Sequence, residues 1–261
     1  RNRSSAASDV YKRQVFMLYP SLLIPGPVSV SLSVRDAMRL PVLSSSQTEY
    51  RDLLRLINHQ LLTLYSLNAD LWVTALTANA MNSVRKDIAC ALVKERSLLS
   101  LAYSDEYFRQ CEFSSAVKQK VVQELMAKQY LEEYLSLHPT VDTLWIQYAD
   151  PLSGESVSLD DLAELSLERG LRWVIDAETQ FGADRIDTEQ WPVDLIISRC
   201  DASLHAPGGG AILLQRKANK SNTCTGAPLL FQLPSCAQQI SDENLQNSVG
   251  SVEFPSHWLQ G

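Results

Sequence analysis

Apolar positions recur along this chain with two different periods, and the change of period divides it. The stretch "EYRDLLRLINHQLLTLY" (Glu49 to Tyr65) sets Leu53, Leu56, Ile57, Gln60 and Leu61 at helical spacing, which predicts an amphipathic helix. A second helical stretch is expected from about Ala78 to Glu95, following "LWVTALTANAMNS". "SLLSLAY" (97–103) reads as a short buried strand, and 115–137 reads as mostly helical. His138-Pro139 closes that half, because proline disfavours helix at the residue before it. From there the rhythm becomes strand, helix, strand: "TLWIQYA" (143–149), the turn "PLSG", the helix "SLDDLAELSLERG" ending on Gly170, then "LRWVIDA" (171–177), "VDLIIS" (193–198) and "GAILLQRK" (210–217). Strands that read as near-continuous apolar runs and alternate with helices predict an α/β fold, a mostly parallel sheet with helices on both faces.

Composition narrows the picture little. The chain has 261 residues, 45% hydrophobic and 20% charged, as in an ordinary globular protein. A formal net charge of −7 argues against a general nucleic-acid binder. The five cysteines (Cys90, Cys111, Cys200, Cys224, Cys236) are scattered without a CxxC pair, which suits reduced thiols better than a zinc site or a disulfide framework. Residues 1–14 contain "SSAASDVYKRQ", which resembles a translated sequencing adapter and is set aside as an artefact, with the expectation that the chain is a fragment. Residues 15–48 begin with an uncharged run as long as a membrane span, but Pro20, Pro25 and Pro27 would break a spanning helix. The segment is read as extended or interfacial, with membrane association as an alternative. The domain proper is placed at 49–234, and 235–261 is a C-terminal remnant.

Candidate chemistry collects at the carboxyl ends of two strands, where α/β sheets bind ligands. Asp176 ends "RWVID". Ser198 to His205 forms a polar turn after "VDLIIS" and leads into "APGGG", which also suits a plain hairpin turn, because glycine accepts positive φ. A strand-terminal aspartate followed by a second strand, a polar turn and glycines resembles pyridoxal-phosphate-dependent transferases of the aspartate-aminotransferase fold. That resemblance implies a large domain of this type with the C-terminal small domain largely missing. It also implies that Asp176 pairs with the pyridine nitrogen of pyridoxal phosphate and that Ser198 helps bind its phosphate. Thr77, Ala78 and Asn79 correspond to the turn before the phosphate-cradling helix N-terminus. Thr179 replaces the histidine that usually follows the aspartate, and Tyr107 or Phe108 is the candidate to stack on the ring.

Within that fold the turn resembles the α-oxoamine synthases, and among them the non-catalytic first subunit of serine palmitoyltransferase, through Asp194-Leu195-Ile196, Asp201 to Leu204 and Gly208-Gly209. No lysine stands in the turn. Asp201 or Ala202 occupies the Schiff-base position, and Lys217 and Lys220 lie beyond the glycines. The resemblance therefore implies no catalytic residue in this chain and a vestigial or shared cofactor site. It implies a lysine-bearing catalytic subunit as partner, a place in sphingoid-base synthesis, and location at the cytosolic face of the endoplasmic reticulum if eukaryotic, otherwise cytoplasmic. The helix 49–65 and the loop 103–108 are the expected contact face. Two alternatives stand beside this reading. One is an active pyridoxal-phosphate aminotransferase or acyltransferase with a displaced lysine. The other is a restriction-type nuclease, in which Asp194 holds Mg²⁺ and Lys217 of a D…QxK pattern assists. His205, His59 and the pairs Glu132-Glu133 and Asp160-Asp161 read as surface residues.

Overall fold

The computed structural model describes residues 29–44, 46–77, 80–94, 96–121, 128–150, 153–154, 159–201, 204–217 and, for the backbone, 237–240. One short helix opens the described chain. Helix α1 (Leu32–Ala37) is capped by Ser31, whose side chain accepts from the Val34 amide at 3.3 Å. Helix α2 (Thr48–Leu64) and strand β1 (Trp72–Thr77) follow. Helix α3 (Met81–Leu92), strand β2 (Leu98–Ala102), helix α4 (Asp105–Cys111), strand β3 (Lys118–Val121) and helix α5 (Lys128–Leu137) come next. Strand β4 (Thr143–Gln147), helix α6 (Leu159–Arg169), β5 (Arg172–Asp176), β6 (Val193–Arg199), β7 (Ala211–Arg216) and β8 (Ala237–Ile240) complete the order.

The eight strands form one sheet in the order β3-β2-β4-β5-β6-β7-β1-β8. β3, β2, β4, β5 and β6 are parallel to one another, whereas β7 is antiparallel to both β6 and β1, and β8 is antiparallel to β1. The sheet is thus mixed and mostly parallel, as the alternation of apolar runs with helices anticipates. Side chains leave each strand to opposite faces with period two, and both faces are buried. On one face α2, α5 and α6 pack Leu54, Leu61, Leu131, Leu135 and Leu162 against Trp173, Ile175, Ile196 and Leu214. On the other, α3 lays Met81, Val84, Ile88 and Leu92 on Trp145, Val174, Leu195 and Leu213.

Several expectations are corrected. The expected helix over 115–137 contains β3 at its start. "KQKV" alternates charge and polarity along the sheet edge, where lysines discourage pairing with another chain, and only 128–137 is described as helix. Residues 72–77 form a strand buried at every position, a run that strand length and β-branched content could have identified. The segment 15–48 contains α1 in its described part. The buried stripe of α2 is Tyr50, Leu54, Leu61 and Leu62, and Leu56 faces out, because Tyr50 and Leu54 share the i, i+4 face that meets the sheet. Among the described residues, no helix is long and apolar enough to cross a membrane.

Gly170 ends α6 as expected. Its φ of +68° lets the Leu171 amide donate to the Ser166 carbonyl at 2.8 Å and its own amide donate to the Leu167 carbonyl. A Cβ at this position would meet nothing within 4 Å, so strain alone sets the effect of Gly170→Ala. The expected loss is about 1–2 kcal/mol by urea unfolding, the penalty of an L-residue in the left-handed region.

Candidate functional site

Period two decides where Asp176 points. It shares a face with Val174, so its carboxylate leaves the carboxyl end of β5 toward α3 and α4. There it meets Arg85, which occupies the apolar stripe of α3 one turn after Met81 and one before Ala89. The Arg85 Nε donates to Asp176 Oδ2 at 2.6 Å, with side chains only 3% and 1% exposed. The Tyr107 hydroxyl donates to the same oxygen at 2.5 Å, and the Glu178 amide donates to Oδ1 at 3.2 Å. Trp145 Nε1 in turn donates to the Tyr107 hydroxyl at 2.8 Å.

The network continues outward. Arg85 Nη1 donates to Asn82 Oδ1 at 2.8 Å, and Nη2 pairs with Glu178. Glu178 Oε1 accepts from Arg199 Nη1 at 3.0 Å, and Arg199 grips Asp201 with two bonds of 2.8 and 2.5 Å. Two guanidiniums and three carboxylates therefore tie the ends of β5 and β6 to α3 and α4. Burial opposes the Arg85 charge, but Asp176, the Tyr107 hydroxyl and Glu178 outweigh it and raise its pKa. Burial and the Asp176 charge push the Tyr107 phenol well above its ordinary value, so it stays a neutral donor. Burial raises the Glu178 carboxyl, but Arg85 and Arg199 overcome that and hold it below the ordinary range.

A depressed carboxyl pKa stabilises the fold above the unfolded value, about 4.3 for glutamate. That stabilisation is present at neutral pH and is lost as pH falls through the folded value. Glu178→Gln is expected to flatten this part of the acid limb of a stability-against-pH curve measured by urea unfolding.

The glycine turn closes an antiparallel connection. Arg199 of β6 pairs with Ala211 of β7, and the Cys200 amide donates to the Gly210 carbonyl at 3.2 Å. His205 is exposed at φ +54°. A Cβ on Gly208 would stand 3.1 Å from Asp201 Oδ2, so this glycine lets the turn fold onto the Arg199–Asp201 pair. Ser198 is buried and its hydroxyl donates to the backbone carbonyls of Ala177 and Arg199, at 3.4 and 3.2 Å. Thr179 is half-buried in the turn after β5, and Thr77 is buried at the end of β1. Ala78, Asn79 and Ala202 lie outside the described residues.

The two stacking candidates occupy different environments. Tyr107 is buried with its hydroxyl on Asp176, and Phe108 packs with Ala102, Tyr107 and Cys111 in a small cluster of its own. In the segment 103–108, Tyr103, Tyr107 and Phe108 are buried, while Asp105 and Glu106 are exposed. The nuclease alternative fails on geometry. Asp194 is held by Arg172 at 2.9 Å, while Lys217 Nζ donates to the Ala69 carbonyl at 2.9 Å. Among the described residues, no group of acidic, histidine or cysteine side chains could hold a metal. Asp160 also does more than face solvent, accepting from Trp191 Nε1 at 2.8 Å.

Pyridoxal phosphate fits this site in one part only. The N-cap of α3, Ala80, supplies no side-chain cap, and the first turn carries no acidic residue, which leaves its amides suited to a phosphate. The ring end does not fit. The carboxylate that would meet the pyridine nitrogen already carries three donors, one of them a buried guanidinium. Sequence reasoning overlooked Arg85, although a charged residue inside an apolar helical stripe signals a buried acidic partner.

No family model matches the chain. It is 24% identical over 251 residues to the bifunctional phosphonoacetaldehyde hydrolase/aminoethylphosphonate transaminase of Clostridioides difficile (strain 630), covering 90% of this chain and 37% of that protein. It is 23% identical over 214 residues to the 2-aminoethylphosphonate–pyruvate transaminase of Lactiplantibacillus plantarum, covering 79% and 58%. The chain thus spans roughly a third to three fifths of the length of these curated relatives. Among solved structures, alanine–glyoxylate aminotransferase from Nostoc sp. superposes with a TM-score of 0.65 at 17% identity, covering 93% of this chain and 66% of that one. Ureidoglycine–glyoxylate aminotransferase from Bacillus subtilis gives 0.63 at 14%, covering 76% and 52%. The fold is that of the large domain of fold type I pyridoxal-phosphate-dependent transferases, and the chain is class V aminotransferase-like. These relatives are transaminases, so they favour the aminotransferase alternative over the serine palmitoyltransferase reading.

Proposed function

From a class V aminotransferase-like chain whose aspartate is already neutralised, we infer a subunit related to 2-aminoethylphosphonate transaminases that does not itself transaminate. One observation carries this reading: Arg85 closes the carboxylate that a pyridoxal ring would need. The absence of any lysine from 129 to 216 supports it, because the β6–β7 turn then has no amine for a Schiff base. The chain contributes structure beside a lysine-bearing partner subunit. The second reading, an active aminotransferase with a displaced lysine, draws on the similarity to transaminases. Lys217 weighs against it, since it follows the end of β7 that pairs with the start of β1, at the opposite end of the strands from Asp176.

The test adds pyridoxal phosphate to the purified chain, reduces with borohydride and maps lysines by mass spectrometry. No adduct is expected, and no alanine from 2-aminoethylphosphonate and pyruvate. An adduct together with alanine formation overturns the reading in favour of the active enzyme. Co-expression with a lysine-bearing homologue of the same organism, followed by pull-down, tests the partnership, and a chain that stays monomeric in its presence removes it.

A further inference from the structure

We propose that Arg85 is the resident cation of Asp176, standing where a pyridoxal-type ring nitrogen would stand, so that the site is closed from within. This rests on the aminotransferase-like fold, but not on the missing lysine. A carboxylate offers about four lone-pair sites. Three donors already take the Asp176 oxygens: Arg85 Nε, the Tyr107 hydroxyl and the Glu178 amide. Arg85 is itself held at all three nitrogens, by Asp176, Asn82 and Glu178, so it is not a side chain waiting to swing aside.

Charge makes the exclusion stronger than sterics alone. A protonated pyridine entering here would meet a guanidinium in a buried environment, where like charges repel strongly. A neutral pyridine would bring no proton for Asp176 to accept. Moving Arg85 out would leave the buried Asp176 carboxylate without its cation, which is costly. Arg85 lies buried on the apolar stripe of α3. The guanidinium therefore does what a ring cation would do: it neutralises Asp176 and fixes α3 against the end of β5.

The probe is pyridoxamine 5′-phosphate, whose amine makes no Schiff base with lysine, read by its fluorescence and by melting temperature. The full chain is expected to show no saturable binding at millimolar ligand. Arg85→Ala is expected to bind at least about tenfold more tightly than the wild type. Ethylguanidinium should compete with that binding, and a further Asp176→Asn change should abolish it. Saturable binding to the wild type that Asp176→Asn removes overturns the proposal. So does a folded Arg85→Ala that binds no better than the wild type. If Arg85→Ala does not fold unaided, it is refolded with ethylguanidinium or with pyridoxamine 5′-phosphate. Rescue by both supports the proposal, and rescue by ethylguanidinium alone or by neither overturns it. Failure of the functional reading looks different, because it produces a borohydride adduct on lysine.

Discussion

Arg85→Met is expected to lower stability by about 3–5 kcal/mol, the cost of removing one partner from a buried ion pair and leaving the other uncompensated. The methionine fills much of the volume of the arginine stem, so the loss reports charge more than packing. Asp176 and Glu178 both lose their shared cation, and Asp176 has no water to turn to at 1% exposure. The double change Arg85→Met/Asp176→Asn should lose much less. The asparagine oxygen still accepts from Tyr107 or from the Glu178 amide, and no buried charge remains unpaired. Urea unfolding of the four proteins closes a double-mutant cycle. A coupling near zero would mean that the pair is not formed in solution.

Trp145→Ala should be comparably severe, at about 3–5 kcal/mol. Trp145 lies fully buried in β4, under α3 and beside Val174, Leu195 and Leu213. Its ring meets Phe113 edge-on at 5.1 Å between centroids. Truncation opens a cavity at the centre of this face and deprives the Tyr107 hydroxyl of its donor. Trp145→Phe separates the two effects. It keeps most of the apolar volume and loses the indole N–H, for an expected cost of about 1–3 kcal/mol from the unmet hydrogen bond together with the volume lost. Equal losses in the two variants would show that the hydrogen bond, not the packing, matters here.

The parallel half of the sheet was legible because its strands are apolar throughout and the helix between β4 and β5 ends on a glycine suited to positive φ. β3 was not, since "KQKV" at an edge carries the composition of a helix surface. β1 runs directly into small residues and the helix α3, so its six residues lack the polar boundary that marks the other strands. At the site, Asp176 was found from its place at a strand end, and its surroundings were not. Arg85, Tyr107 and Trp145 come from three separate elements, and only the fold brings Arg85 and Tyr107 to one carboxylate and Trp145 behind the tyrosine hydroxyl. The serine palmitoyltransferase likeness rested on the β6–β7 turn. The structure explains that turn locally, since Gly208 lies close against the Asp201 carboxylate that Arg199 clamps. A short turn shaped by such contacts says little about which acceptor a distant relative uses.

The place of β1 has a consequence for synthesis. The first described strand, β1, lies between β7 and β8, with Trp72 opposite Arg216 and Thr74 opposite Ile240. On the ribosome, a chain released no further than β6 holds both an unpaired β1 and a β6 with one open side. Pairing across such a span carries a high loop-closure cost and slows folding. Nascent chains stalled before residue 211 should therefore recruit holdase chaperones through β1, an apolar strand that cannot pair with β7 until residues 211–216 have been made.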